Sequence, residues 1–346
     1  MSAGSGEALL AKLARLWGLT VRGTQRVRKV WRLQTERGCY CLKKSILSPC
    51  DLLFVESAVL HLRARGFTAV LPAMPALSGA PYVCTAEGTF VLYPWLQSRE
   101  ADFGRPDDLS LAARVLTELH EASRGFIPYR GDVDRVRWGL WPQIFTARRN
   151  QLFEFGLRAS VMARASPFCA RYAHLFPYYY AEAGRALASL AVLPYGELCR
   201  EAVRSRTICH HDFSARNLLI DEQGRPFVVD FDYCLADLRL HDLANFILRL
   251  LRHGHWRPET AATALALYHR HSPLDDREYA VLYALLLWPQ DFWQIGLQFF
   301  LEELPWSQER YLQTLRRKTE DRADRAAFLN WYRREYLAPS FREKLD

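Results

Sequence analysis

The sequence has no long apolar run. Its most apolar stretch, AVLYALLL from Ala280 to Leu287, is too short to cross a bilayer, so no transmembrane segment is expected. The first residues, MSAGSGEALLAKLARLW, lack the apolar core and the small-residue cleavage site of a secretory leader. Together these absences predict a soluble, cytoplasmic protein. Eight cysteines are present without a CxxC pair, and nothing near Cys39 and Cys41 supplies further ligands. That argues against zinc or a disulfide framework and for small buried hydrophobes. The formal net charge is +8, with arginine well ahead of lysine, but no zinc-finger spacing, aromatic nucleic-acid signature or GxxG clamp accompanies it. The basic balance therefore admits anionic partners in general and gives no ground to expect nucleic acid. Internal repeats and low-complexity blocks are also lacking.

What is present is apolar and aromatic. Half the residues are hydrophobic and 13% are aromatic, which excludes a disordered chain and predicts a large core in two lobes. Residues 6–17 read as an amphipathic helix, and residues 25–44 as strand, turn, strand with ERG at the turn. Residues 51–66 recur apolar at helical spacing and stop at Gly66. A proline-rich link leads to a second hairpin, YVCT, AEG, TFVLYPW, ending near Pro94. Beyond Trp95 the pattern is helical, at 107–123 with Asp107 or Asp108 as N-cap, then 143–165, 178–191 and 242–254. The expectation is an α+β protein: a small antiparallel-sheet lobe over residues 1–93, a linker at 94–100, and a mainly helical lobe over 101–346.

The chemistry concentrates in TICHHDFSARNLLIDEQGRPFVVDFDYC, residues 207–234. Leu218–Ile220 and Phe227–Val229 read as strands, and Asp221–Gly224 as their turn. Such a hairpin brings its ends together and gathers Asp212, Asn217 and Asp230 around one point. Crowded carboxylates repel one another, and a divalent cation removes the conflict. Asp and Asn offer the oxygen donors that magnesium prefers. Asn217 and Asp230 thus read as metal ligands and Asp212 as the group that orients a hydroxyl and accepts its proton, the logic of a phosphotransfer site using ATP and magnesium. His210 reads as a hydrogen-bonding brace behind the loop.

A phosphate-contacting lysine should come from the first lobe, and CYCLKK supplies one. Strand alternation puts Cys41 and Lys43 on one face, with Lys43 toward phosphates, Cys41 toward the base and Lys44 pointing away. Glu56, on the following helix, is the expected ion-pair partner of Lys43. In VLYPWL, residues 91–96, extended backbone at Tyr93, Trp95 and Leu96 can offer a carbonyl and an amide to an adenine edge. Tyr178 to Tyr180, Trp288 and Trp293 are candidate walls for an acceptor.

These stretches resemble the aminoglycoside phosphotransferase and choline-kinase-like superfamily, which shares the protein-kinase fold. The signatures are HHDFSARN (210–217), VVDFD (228–232), HDLAN (241–245), YCLKK (40–44) and ESAVLHLRARGF (56–67). WPQIFTARRNQLFEF (141–155) and DFWQIGLQFFLEELPWS (291–307) are similar to segments of the CotS family of spore coat proteins. The resemblance implies a bilobal kinase-like fold, catalytic Asp212, magnesium on Asn217 and Asp230 with Asp232 as a second metal aspartate, and Lys43 paired to Glu56. It implies a small-molecule or glycan hydroxyl as acceptor, or a non-catalytic coat protein with coat proteins as partners and deposition on the spore coat. Departures accompany the match. His211 replaces the family's Arg or Gly, no APE segment follows VVDFD, and QRVRKVWRL stands where a glycine-rich loop belongs, leaving Arg26, Arg28 or Lys29 to assist at phosphate.

Overall fold

The computed structural model describes residues 3–128 and 133–345. The chain divides into two compact units, Met1–Val136 with Ser205–Asp237, and Arg137–Arg204 with Leu238–Asp346. The first unit opens with α1 (Ala3–Arg15), then β1 (Val21–Val27), β2 (Val30–Thr35), β3 (Gly38–Ser45), α2 (Pro49–Ala64), β4 (Val83–Thr85) and β5 (Gly88–Pro94). The strands form one antiparallel sheet in the order β1-β2-β3-β5-β4. Alternation decides its faces: Leu33, Leu42 and Leu92 are fully buried and pack with Leu10, Leu13 and Trp17 of the N-terminal segment. The intervening positions Cys41 and Lys43 face the other way.

One expected strand is two. Val27 pairs with Val30, so Arg28 and Lys29 alone turn the chain, and Arg28 takes φ 52°. Two-residue hairpin turns demand that left-handed conformation at their first position. No Gly or Asn marks the turn, so RVRK reads as continuous strand. The helix expected from residue 51 begins earlier, because Ser48 and Asp51 form a reciprocal capping box with Pro49 inside it.

Past β5 come β6 (Ser98–Glu100), α3 (Pro106–Ala122), β7 (Leu218–Asp221) and β8 (Pro226–Val228), the three strands forming a second antiparallel sheet in the order β6-β7-β8. Neither Asp107 nor Asp108 caps α3, whose N-cap position is Arg105. Asp108 instead takes a bidentate pair from Arg99 at 2.6 and 2.8 Å and the Asp102 amide at 2.8 Å, fastening β6 to the helix start.

The second unit is helical: α4 (Trp141–Met162), α5 (Pro167–Val192), α6 (Tyr195–Ser205, its last residue in the first unit), α7 (Leu240–His253), α8 (Pro258–His271), α9 (Asp276–Leu287), α10 (Gln290–Phe300), α11 (Gln308–Thr319), α12 (Arg322–Tyr336) and α13 (Pro339–Glu343). The helix expected from residue 178 starts at Pro167 and runs through Pro177. An internal proline costs about 3 kcal/mol, but Tyr172 and Tyr179, on either side of it, both stack on Phe292 at centroid distances of 4.2 and 4.3 Å. Packing of both halves onto one ring holds the helix together. Among the described residues no helix is long and apolar enough to cross a membrane.

Candidate active site

Every side chain in this site belongs to the first unit. Leu218 pairs with Val228, and the Val229 amide donates to the Asn217 carbonyl at 2.9 Å, so the hairpin ends meet. Asp230 then adopts φ 67°, ψ 59° and turns the chain out of the strand into a single 3-10 turn, Phe231–Tyr233. A left-handed Asp costs about 1 kcal/mol, and such strain recurs where a side chain must be aimed. On the preceding loop Asn217 Nδ2 donates to the Asp212 backbone carbonyl and to Asp212 Oδ2, both at 2.9 Å.

Two histidines set the loop. His210 is fully buried, and its Nδ1 accepts from the Asp212 amide at 3.2 Å. Its Nε2 therefore carries the proton and donates to the Val229 carbonyl at 3.0 Å. The ring meets Phe231 edge-on at 4.6 Å. His210 is thus the expected brace, joining the Asp212 loop to the strand end before Asp230. His211 is held at φ 64°, with Nε2 3.1 Å from Oδ2 of the buried Asp237.

Lys43 reaches this cluster from β3. Its Nζ lies 2.5 Å from Asp230 Oδ1 and 2.7 Å from Asp232 Oδ1. Burial works against the ammonium, yet Asp232 and Asp230 outweigh it and hold Lys43 above the ordinary lysine value. The same burial pushes the Cys41 thiol up to about 11, despite the opposing pull of Lys43. Cys41 and Lys43 do share a face.

Glu56 does not pair with Lys43. Among the described residues Lys43 is held by the two aspartates, and Glu56 Oε2 accepts from the Ala73 amide at 3.2 Å. Burial raises the Glu56 carboxyl above its usual range, only partly countered by that amide. The nearer carboxylates take the ammonium, so α2 is anchored differently. Arg135, which the sequence reading missed, donates from Nε to Asp51 Oδ1 at 2.6 Å and from NH1 to the carbonyls of Asp232 and Cys234 at 3.0 and 2.9 Å. The S-x-x-D spacing of Ser48 and Asp51 signals a cap, but nothing in sequence links Asp51 to a residue 84 positions away.

In the segment after β5, Tyr93 sits in the ladder opposite Cys41, and burial raises its phenol far above the usual value. The Trp95 amide is taken by the Cys39 carbonyl at 3.1 Å, while its indole Nε1 is buried without a partner among the described residues. Arg32 lies over that ring at 5.3 Å. The Leu96 amide has no hydrogen-bond partner among the described residues. At the β1–β2 turn, Arg26 stacks on Trp31 at 4.0 Å and donates to the Arg28 carbonyl at 2.9 Å, and Arg28 pairs with Glu100.

The donor set fits magnesium. Two carboxylates converge on one cationic atom, and Asn217, its nitrogen committed to Asp212, presents a carbonyl oxygen. All three are hard oxygen ligands.

A lysine strand, an Asp–Asn loop and a two-aspartate turn lie within this kinase-like α+β fold, and solved structures share the fold. An aminoglycoside phosphotransferase from Alicyclobacillus acidocaldarius superposes with a TM-score of 0.76 at 22% identity over 94% of this chain and 95% of that one. A spectinomycin phosphotransferase solved with ADP and spectinomycin gives 0.67 at 14% identity over 93% and 98%. Choline kinase LicA from Streptococcus pneumoniae gives 0.54 at 14% identity over 94% and 100%. The chain belongs to the family of spore coat putative kinases typified by YutH, whose model matches residues 11–332. Spore coat protein S of Bacillus subtilis is 23% identical over 305 residues, covering 88% of this chain and 86% of that protein.

Proposed function

We propose that the protein is an ATP- and magnesium-dependent phosphotransferase that moves the γ-phosphate to a hydroxyl of a small molecule or glycan. The convergence of Lys43 with Asp230 and Asp232, beside the Asn217–Asp212 pair, carries this reading. Lys43 would bind the α- and β-phosphates, exchanging its aspartates for them. The Leu96 amide is the donor left for an adenine edge, next to Tyr93 and Trp95, with Cys41 against the base. Asn217, Asp230 and Asp232 would hold magnesium, which when bound supplies positive charge to the phosphate oxygens. Asp212 orients the acceptor hydroxyl and takes its proton as the new O–P bond forms and the bond to the ADP oxygen breaks. A positioned base of this kind contributes on the order of 10²- to 10⁴-fold. In this reading residues 1–93 bind nucleotide, 94–100 link, and 101–346 carry catalytic and metal loops.

A second reading is a coat or assembly protein that uses the kinase-like fold without turnover. It is supported by the β1–β2 turn, which lacks a glycine cradle and whose Arg28 is engaged by Glu100. Family membership supports coat proteins as partners and deposition on the spore coat. The nearer CotS placement rests on the likeness to spore coat protein S.

Calorimetry of ATP binding, with and without magnesium, separates the two. Phosphotransfer predicts binding that needs magnesium and weakens in Asp230→Asn, while Asp212→Asn binds normally and loses ADP production. Absence of ATP binding at millimolar nucleotide would sink the catalytic reading and leave the scaffold.

A further inference from the structure

The aromatic candidates of the helical unit are already covered, Trp293 by Arg148 at 4.3 Å and Trp288 by Phe145 at 4.3 Å. Open ligand space lies elsewhere in this unit, in a cleft of about 680 Å³ between α5 and α11. α5 supplies Pro167, Ala170, Arg171 and His174 to its wall, and α11 supplies Leu312 and Arg316, with Glu320 just past the helix end. Spacing explains the set. Positions 167, 170, 171 and 174 recur every three or four residues and share one face of α5, as 312 and 316 do on α11.

The two walls are fastened together. Ser166, the N-cap of α5, donates its hydroxyl to Gln308 Oε1 at 2.9 Å, joining the starts of the two helices. Phe168 of α5 meets Tyr311 of α11 at 5.7 Å between ring centroids, and Leu315 is fully buried. A cleft held in this way orders little when a ligand enters. Its charges are not neutralised within the chain. Arg171, His174 and Arg316 are exposed, and no side chain of the three has a partner among the described residues. Glu320, equally exposed and unpaired, is the one carboxylate on the wall, set against two guanidinium groups and an imidazole.

We infer that this cleft binds a small phosphate monoester, with its phosphate among Arg171, Arg316 and His174 and its organic body against Pro167, Ala170 and Leu312. A phosphate monoester brings nearly two negative charges and three terminal oxygens, where a carboxylate brings one charge and two oxygens. Two guanidinium forks and an imidazole arriving from two helices suit the larger set. The volume falls within the range of roughly 300–1,000 Å³ that holds small ligands. The inference is independent of the phosphotransfer reading, whose failure registers separately as absent magnesium-dependent ATP binding.

The test is calorimetry on the full chain at fixed ionic strength, without ATP or magnesium, using phenyl phosphate, inorganic phosphate and benzoate as probes. Phenyl phosphate should bind more tightly than inorganic phosphate, and benzoate least. Arg171→Gln and Arg316→Gln should each weaken phenyl phosphate about five- to ten-fold, on the scale of one lost charge-assisted contact. Glu320→Gln should tighten it severalfold by removing the like charge. All three side chains are exposed, so the variants should melt as wild type does and a change in binding is not unfolding. No heat from either phosphate probe overturns the proposal. So does benzoate binding as tightly as phenyl phosphate, or phosphate binding that survives both arginine variants and disappears in Lys43→Ala, which would put the anion in the first unit.

Discussion

The Arg135 guanidinium lies 2.6 Å from the Asp51 carboxylate and also donates to the carbonyls of Asp232 and Cys234. One buried cation thereby ties the first turn of α2 to the turn that aims Asp230 and Asp232. Asp51 serves twice, since the same carboxylate closes the capping box with Ser48. Glu56 of α2 was expected to hold Lys43 in position; α2 is instead anchored by this strut, which does not involve the lysine.

Arg135→Ala should cost about 2 to 3 kcal/mol, the low end for a buried pair because Asp51 is partly exposed. Burial pushes the Asp51 carboxyl up, but Arg135 and the Ser48 hydroxyl more than compensate and hold it below the usual range. A carboxyl depressed in the folded state stabilises fully above its unfolded value of roughly 4, and that stability is lost as pH falls through the lower folded value. Urea midpoints should therefore drop on acidification in wild type and drop less in Arg135→Gln. An identical acid limb in the two proteins would count against the strut.

His210→Phe preserves shape but strips two hydrogen bonds. The Asp212 amide and the Val229 carbonyl would be left without the ring that now serves both. Loss of this partner by two part-buried backbone groups makes this a loss of about 2 to 3 kcal/mol. Calorimetric melting measures it, and faster amide exchange at Asp212 would place the loss in the loop from His210 to Asn217. A variant as stable as wild type would show that His210 is not a brace.

Local pattern made the site legible and long-range pairing did not. The hairpin at 218–228 follows from turn chemistry and apolar runs, so the approach of the Asn217 end to the Val229 end could be read directly. Strand alternation put Lys43 and Cys41 on one face for the same reason. The choice between Glu56 and the two aspartates as partners of Lys43 is a competition among carboxylates, decided by tertiary distance. Arg135 was invisible because its partners lie far along the chain and two of them are backbone carbonyls. The α5 start was missed because Pro177 reads as a breaker, and only the shared contact with Phe292 overrides it.

Cys41 should be the slow thiol on the sheet face that carries Lys43. Its value of about 11 means that it stays protonated near pH 8, whereas Cys50 and Cys84 are exposed. Brief iodoacetamide treatment followed by peptide mass spectrometry should label Cys50 and Cys84 first and Cys41 least of the three. Raising the pH toward about 11 should bring Cys41 up as its thiolate forms. Rapid labelling of Cys41 at neutral pH would contradict the buried environment assigned to it.

The β1–β2 turn offers the sharpest view of how this chain departs from a glycine-rich loop. Arg28 holds φ 52°, a conformation that costs a side-chain-bearing residue about 1 kcal/mol. Its pair with Glu100 joins two largely exposed side chains and returns little. Arg28→Gly removes both the strain and the pair while adding freedom to the unfolded chain, so stability should stay within about 1 kcal/mol of wild type. If the turn closes over phosphates through its backbone amides, freeing it from Glu100 should tighten magnesium–ATP binding severalfold. Weaker binding in Arg28→Gly would mean instead that the guanidinium leaves Glu100 to meet phosphate, and Arg28→Lys, which keeps the charge, should then recover part of the loss.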